Sequence, residues 1–128
     1  MSRPVVVLFF LASLWLAVPA DAADEVSGID ICRDFSLIAK NVMTARQKKQ
    51  PMSETLPNTI KQIEGWAKKY GMEMDSKVVE EVAALMVMHA YDRAAYPSDS
   101  NWNPERQDAI RDFENEYFEE CYTGLTSD

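Results

Sequence analysis

From Asp30 to Gly124 the apolar positions recur at three- and four-residue steps, and nowhere do they alternate over a run long enough to predict a strand. The spacing predicts four helices. In "DICRDFSLIAKNVMTARQKK" the residues Cys32, Phe35, Ile38, Ala39, Val42 and Met43 share one face, behind a cap at Ser27 or Asp30. Lys48 and Lys49 close it, where cations complement the helix dipole. Pro51 and Pro57 then break the pattern. The second segment, "LPNTIKQIEGWAKKYG", places Leu56, Ile60, Ile63, Ala67 and Tyr70 together and ends at Gly71 as a left-handed cap, with Gly65 weakening its interior. The third, "KVVEEVAALMVMHAYDR", starts from Asp75 or Ser76 and is the most apolar, which predicts a central position. Asn103 followed by Pro104, cap then first-turn proline, opens the fourth, "PERQDAIRDFENEYFEECYTG", whose face is Ile110, Phe113, Tyr117 and Cys121.

Four amphipathic helices with short connections predict an all-α fold: a small antiparallel four-helix bundle in which sequence neighbours run in opposite directions. Cysteine positions supply a separate check. Cys32 lies near the start of the first helix and Cys121 near the end of the last, and an up-down-up-down bundle brings those ends together.

The N-terminus changes the chemical setting. Arg3 precedes the apolar run "VVVLFFLASLWLAV", which is followed by small residues at Ala20 and Ala22. This is the pattern of a cleaved signal peptide over residues 1–22, and the run is shorter than the ~20 apolar residues a spanning helix needs. Residues 23–128 are then one domain with one core, exported to the periplasm or secreted. In an oxidising compartment two thiols in a small domain cross-link more often than they act as nucleophile or ligand. A Cys32–Cys121 bridge, tying the first and last helices, closes almost the whole mature chain, a constraint of about 4–5 kcal/mol in the chain-entropy account.

Charge narrows the partners. The net charge is −8, and Arg3 and Asp21 cancel within the signal segment. Nucleic acid is excluded as a partner and an anionic membrane surface is disfavoured, whereas a cationic protein is electrostatically favoured. Glu119 and Glu120 sit at the negative end of their own helix, where the N-terminus of the first helix would partly compensate them. Alternatively, this acidic end, with Asp112, Glu114 and Glu116, is a docking face for a basic partner.

His89, the single histidine, falls on the apolar arc with Val78, Val82, Leu85 and Met86, so its first reading is a packed side chain with Asp92 as a local hydrogen-bond partner. A sharper reading gives it a metal. Imidazole and thioether suit cuprous ion, and Met86, Met72 and Met74 are the thioether candidates; Met43 on a facing helix would serve a b-type haem. No multi-histidine or cysteine spacing supports a metal, no "CxxCH" permits covalent haem, and no nucleophile elbow or free thiol accompanies the histidine. The expectation is therefore no cofactor and no enzymatic activity. For recognition the candidate is the loop with Tyr91, Arg93, Tyr96, Trp102 and Arg106, since aromatics beside arginine anchor interfaces. The same loop could instead fold back as a lid on the bundle.

Three stretches, "CRDFSLIAKNVMTARQ" (Cys32–Gln47), "HAYDRAAYP" (His89–Pro97) and "RQDAIRDFENEYFEEC" (Arg106–Cys121), resemble a pattern of small exported two-cysteine helical proteins of bacteria and their phages. The segment between Lys48 and Val79 is least alike. The resemblance implies the compartment and the cysteine pairing, and brings no catalytic residue with it. "CRDF" is also similar to the first-cysteine region of acid-activated periplasmic chaperones, which implies partial unfolding at low pH, although the second cysteine here lies far later. The functional expectation is an exported, acidic, inhibitor-like protein-binding module for a basic exported partner such as a cell-wall hydrolase. A metal or haem carrier and an acid-stress chaperone are its alternatives.

Overall fold

The computed structural model describes residues 28–97 and 103–126. The expected cleavage near Ala22, the Ser27 cap and Trp102 lie outside the described residues. Four helices follow one another: α1 Gly28–Gln47, α2 Met52–Lys69, α3 Ser76–Tyr91 and α4 Pro104–Thr126, with no strand among the described residues.

Each junction has a local cause. The Asp75 carboxylate accepts from Lys77 N at 3.1 Å and starts α3. Asn103 Oδ1 accepts from Glu105 N at 2.9 Å ahead of Pro104 and starts α4. Gly71 ends α2 with φ of 66°, the Met72 and Gly71 amides returning to the Ala67 and Lys68 carbonyls. The same paired closure ends α1, where the left-handed position is filled by Lys49 at φ 61°.

One boundary departs from the sequence reading. α2 begins at Met52, not near Leu56, and Pro57 lies inside it. Pro57 removes the amide that Ser53 O would accept from, but both residues are exposed, so water satisfies that carbonyl. Thr59 Oγ1 also donates to Thr55 O at 2.8 Å and braces the same turn.

Neighbouring helices run antiparallel. Trp66 Nε1 donates to Ile31 O at 3.0 Å, joining the end of α2 to the start of α1. Tyr91 Oη lies 2.8 Å from Thr55 Oγ1, joining the end of α3 to the start of α2. Cys32 and Cys121 form the disulfide, with Cα atoms 5.5 Å apart, and join the end of α4 to the start of α1. The core between them is built from Phe35, Met43, Ile63, Met86, Phe113 and Tyr117, all fully buried, with the Phe35 ring 4.7 Å from that of Trp66.

The central helix is α1, and not α3 as mean apolarity predicts. α1 packs on all three other helices, most extensively on α4, whereas the α3 and α4 backbones approach at few points. Overall apolarity misleads because α3 spends part of it on small alanines and on Met88, which is 52 % exposed. α1 instead buries residues around about half its circumference, from Ile31 and Ile38 on one side to Ser36 and Gln47 on the other.

Two stability changes follow. A Cys32→Ala/Cys121→Ala protein is expected to lose about 2–5 kcal/mol in denaturant unfolding, and no loss would mean that the bridge constrains nothing. At Gly65 an added Cβ meets no atom within 4 Å. Gly65→Ala is therefore expected to gain about 0.5–1 kcal/mol, read as a raised unfolding midpoint.

Candidate functional site

His89 sits between α3 and α4 and is 13 % exposed. Its ring meets Phe113 and Tyr117 edge-on, with centroids 5.6 and 5.9 Å away. A guanidinium nitrogen of Arg93 lies 3.1 Å from Nε2, and Tyr117 Oη lies 3.2 Å from Nδ1. Arginine has no acceptor, so Nε2 accepts, which assigns the proton of the neutral ring to Nδ1 and directs it at Tyr117. Arg93 in turn donates to Glu116 Oε1 at 2.8 Å and lies over the Phe113 ring. With its Nε2 lone pair turned to Arg93, the histidine is arranged as one member of a polar network.

Met86 and Met72 are buried and Met74 packs partly against the core. The Met43 sulfur is 3.5 Å from the Gln47 amide nitrogen. Among the described residues no group of three or more His, Cys, Asp or Glu side chains converges on a common point.

The aromatic loop, as far as it is described, is held from beneath by α1. Gln47, buried at the end of α1, donates to Ala94 O at 2.8 Å and accepts from Tyr96 N at 2.9 Å. Arg46 donates to Arg93 O at 3.0 Å and stacks over Tyr91, whose hydroxyl donates to Gln50 O at 2.6 Å. Tyr91, Arg93 and Tyr96 are thus brought together, with the polar ends of the first two directed inward. Arg106 lies in the first turn of α4, partly buried, and its Nε has no hydrogen-bond partner among the described residues.

Sequence reading took Glu119 and Glu120 together, as an acidic pair at the end of the fourth helix. Glu119 and Glu120 differ sharply: Glu119 is exposed, while Glu120 is 8 % exposed and its Oε2 is buried without a hydrogen-bond partner among the described residues. Burial, with Glu116 adding repulsion and Arg93 relieving part of it, pushes the Glu120 carboxyl up to about 7. Burial and the same two glutamates also raise the Tyr117 hydroxyl. The signal was visible: Glu120 follows Phe113 by seven residues and Tyr117 by three, which places it on the core side of α4.

A second cluster joins α1 to α2. Asp34 accepts from Lys69 at 2.7 Å and from the Tyr70 hydroxyl, and these bonds hold its carboxyl below the usual range. Elsewhere between these helices a cleft of about 120 Å³ is lined by Asn41, Gln50, Thr55, Asn58, Thr59 and Gln62. That volume falls below the ~300 Å³ at which small-molecule sites begin.

The outer surface of α4 is of another kind. Asp108, Arg111, Asp112, Asn115, Glu119 and Tyr122 follow at three- and four-residue steps and all are exposed. Arg111 pairs with Asp108 at 2.9 Å. At the disulfide end Tyr122, 41 % exposed, stacks on Phe118 at 6.0 Å with planes 8° apart.

The two carboxyl groups give opposite pH terms. Asp34, depressed when folded, adds stability above its ordinary value of 3.8 that is lost on acidification. Glu120, raised from 4.5 to about 7, adds stability that is full below 4.5 and lost as pH rises through 7, on the order of 3 kcal/mol. Unfolding midpoints are therefore expected to fall between about pH 5 and pH 8. Glu120→Gln is expected to flatten that slope and to raise stability at the alkaline end; an unchanged slope would show that Glu120 ionises normally. No family model, curated protein or solved structure matches the chain.

Proposed function

We propose that the protein is a non-enzymatic protein-binding module of an exported compartment, and that the outer face of α4 receives a basic exported partner. The observation that carries this reading is the combination on one exposed strip: Asp108, Asp112 and Glu119 with a single intervening base, Arg111, ending in the Phe118–Tyr122 stack. Carboxylates steer a cationic partner and set its orientation, while exposed Tyr122, backed by partly buried Phe118, supplies the apolar contact that charge alone does not. The net charge of −8 favours the same class of partner. This moves the recognition surface from the 91–106 region, where Tyr91 and Arg93 direct their polar ends inward, to the acidic helix beside it.

The exported setting rests on the N-terminal apolar run and the small residues at Ala20 and Ala22. The disulfide is compatible with it, as is the lack of any helix long and apolar enough to cross a membrane among the described residues.

A cationic cell-wall muramidase is a direct probe. Its binding is expected to weaken with added salt and to fall about tenfold in an Asp112→Asn/Glu119→Gln/Tyr122→Ala protein, a loss of about 1.4 kcal/mol. Binding indifferent to both salt and these substitutions, or no binding, would sink the proposal.

A further inference from the structure

Beside the outer strip, at the seam between α3 and α4, one carboxylate is left over. Glu116 and Glu120 are one turn apart on α4, and Arg93 is committed to Glu116 at 2.8 Å. The groups that act on Glu120 are Glu116 and Tyr117 from its own helix and Arg93 from α3, while α1 meets this part of α4 through Cys32, bonded to Cys121, and Phe35, packed on Tyr117. Glu116 has Arg93 as its partner and His89 Nε2 3.9 Å away. Beside them a buried Glu120 oxygen has no hydrogen-bond partner among the described residues.

A carboxylate oxygen that is buried and left without a donor costs far more than one in water, and the cost is removed by a proton or by a cation. We propose that the basic partner supplies that cation: a lysine or arginine side chain enters the α3–α4 seam and pairs with Glu120, with Glu116 and Arg93 forming the wall beside it. The position suits entry. The α3 and α4 backbones approach at few points, so a side chain can part them without breaking the α1–α4 packing. On α4 the seam lies next to the outer strip, since Glu116 is one turn from its members Asp112 and Glu119. The raised Glu120 carboxyl gives the site a signature, because an incoming cation must displace the proton that neutralises it below pH 7.

This inference rests on the α4 docking reading, and its test separates the two. Oligolysine and oligoarginine peptides are titrated into the full exported chain on either side of pH 7, with Glu120→Gln compared against Glu119→Gln, which makes the same charge change at an exposed site. The wild-type protein is expected to bind more tightly at the higher pH. Glu120→Gln is expected to bind about tenfold more weakly there and to lose the pH dependence, while Glu119→Gln changes affinity little. Preference for oligoarginine would assign a guanidinium to the seam, and equal losses with both peptides any cation. If Glu120→Gln binds as the wild type does while the Asp112→Asn/Glu119→Gln/Tyr122→Ala protein weakens, the seam is overturned and the outer face stands. If the wild type binds neither peptide, the seam falls and the muramidase titration decides the docking face. Retained thermal unfolding of Glu120→Gln shows that a loss of binding is not a loss of fold.

Discussion

The bond between Cys32 and Cys121 decides which helix can be the centre of the molecule. It fixes the start of α1 against the end of α4, and these two helices share the most extensive packing in the bundle. α2 and α3 then cover the remaining flanks of α1. What is left is the contact between α3 and α4, and it is the thinnest of the contacts between sequence neighbours. Long polar side chains fill it: His89, Arg93 and Glu116 reach across where backbones do not. The seam is polar because the tightest packing has been spent elsewhere.

Buried polar groups in the rest of the bundle are matched closely. Trp66 donates to a helix carbonyl, Gln47 uses both ends of its amide to hold residues 94–96, and Thr59 donates one turn back along its own helix. Against that background Glu120 and the Nε of Arg106 are exceptions. An unmatched carboxylate in so small a core lowers stability in the resting protein, and such a cost is tolerated where the group has a second task.

Much of the architecture was legible in the residue pattern. Three-and-four spacing located all four helices, Asp75 and Asn103 marked two starts, Gly71 marked a stop, and the cysteine positions independently required the ends of the chain to meet. Two features were not legible, for physical reasons. Pro57 looked like a boundary because its ring removes an amide, yet the orphaned carbonyl faces water and the helix runs on. The rank of α3 was misread because average apolarity does not say how many sides of a helix are covered. The site was less legible still. Tyr91 and Arg93 have the residue types of an interface, but local sequence does not reveal that Gln50 O and Glu116 take their polar ends. Glu120 was readable as a core-side position from its spacing, and its neighbour Glu119 masked it.

The bridge spans 89 positions along the sequence. A chain emerging N-terminus first therefore carries Cys32 as an unmatched thiol until α4 has followed it. Only then can the large α1–α4 surface form, and until then the apolar side of α1 is covered by α2 and α3 alone. Covalent closure cannot precede α4, the last helix to join the core. Without the bridge the same surface would have to close a long loop unaided.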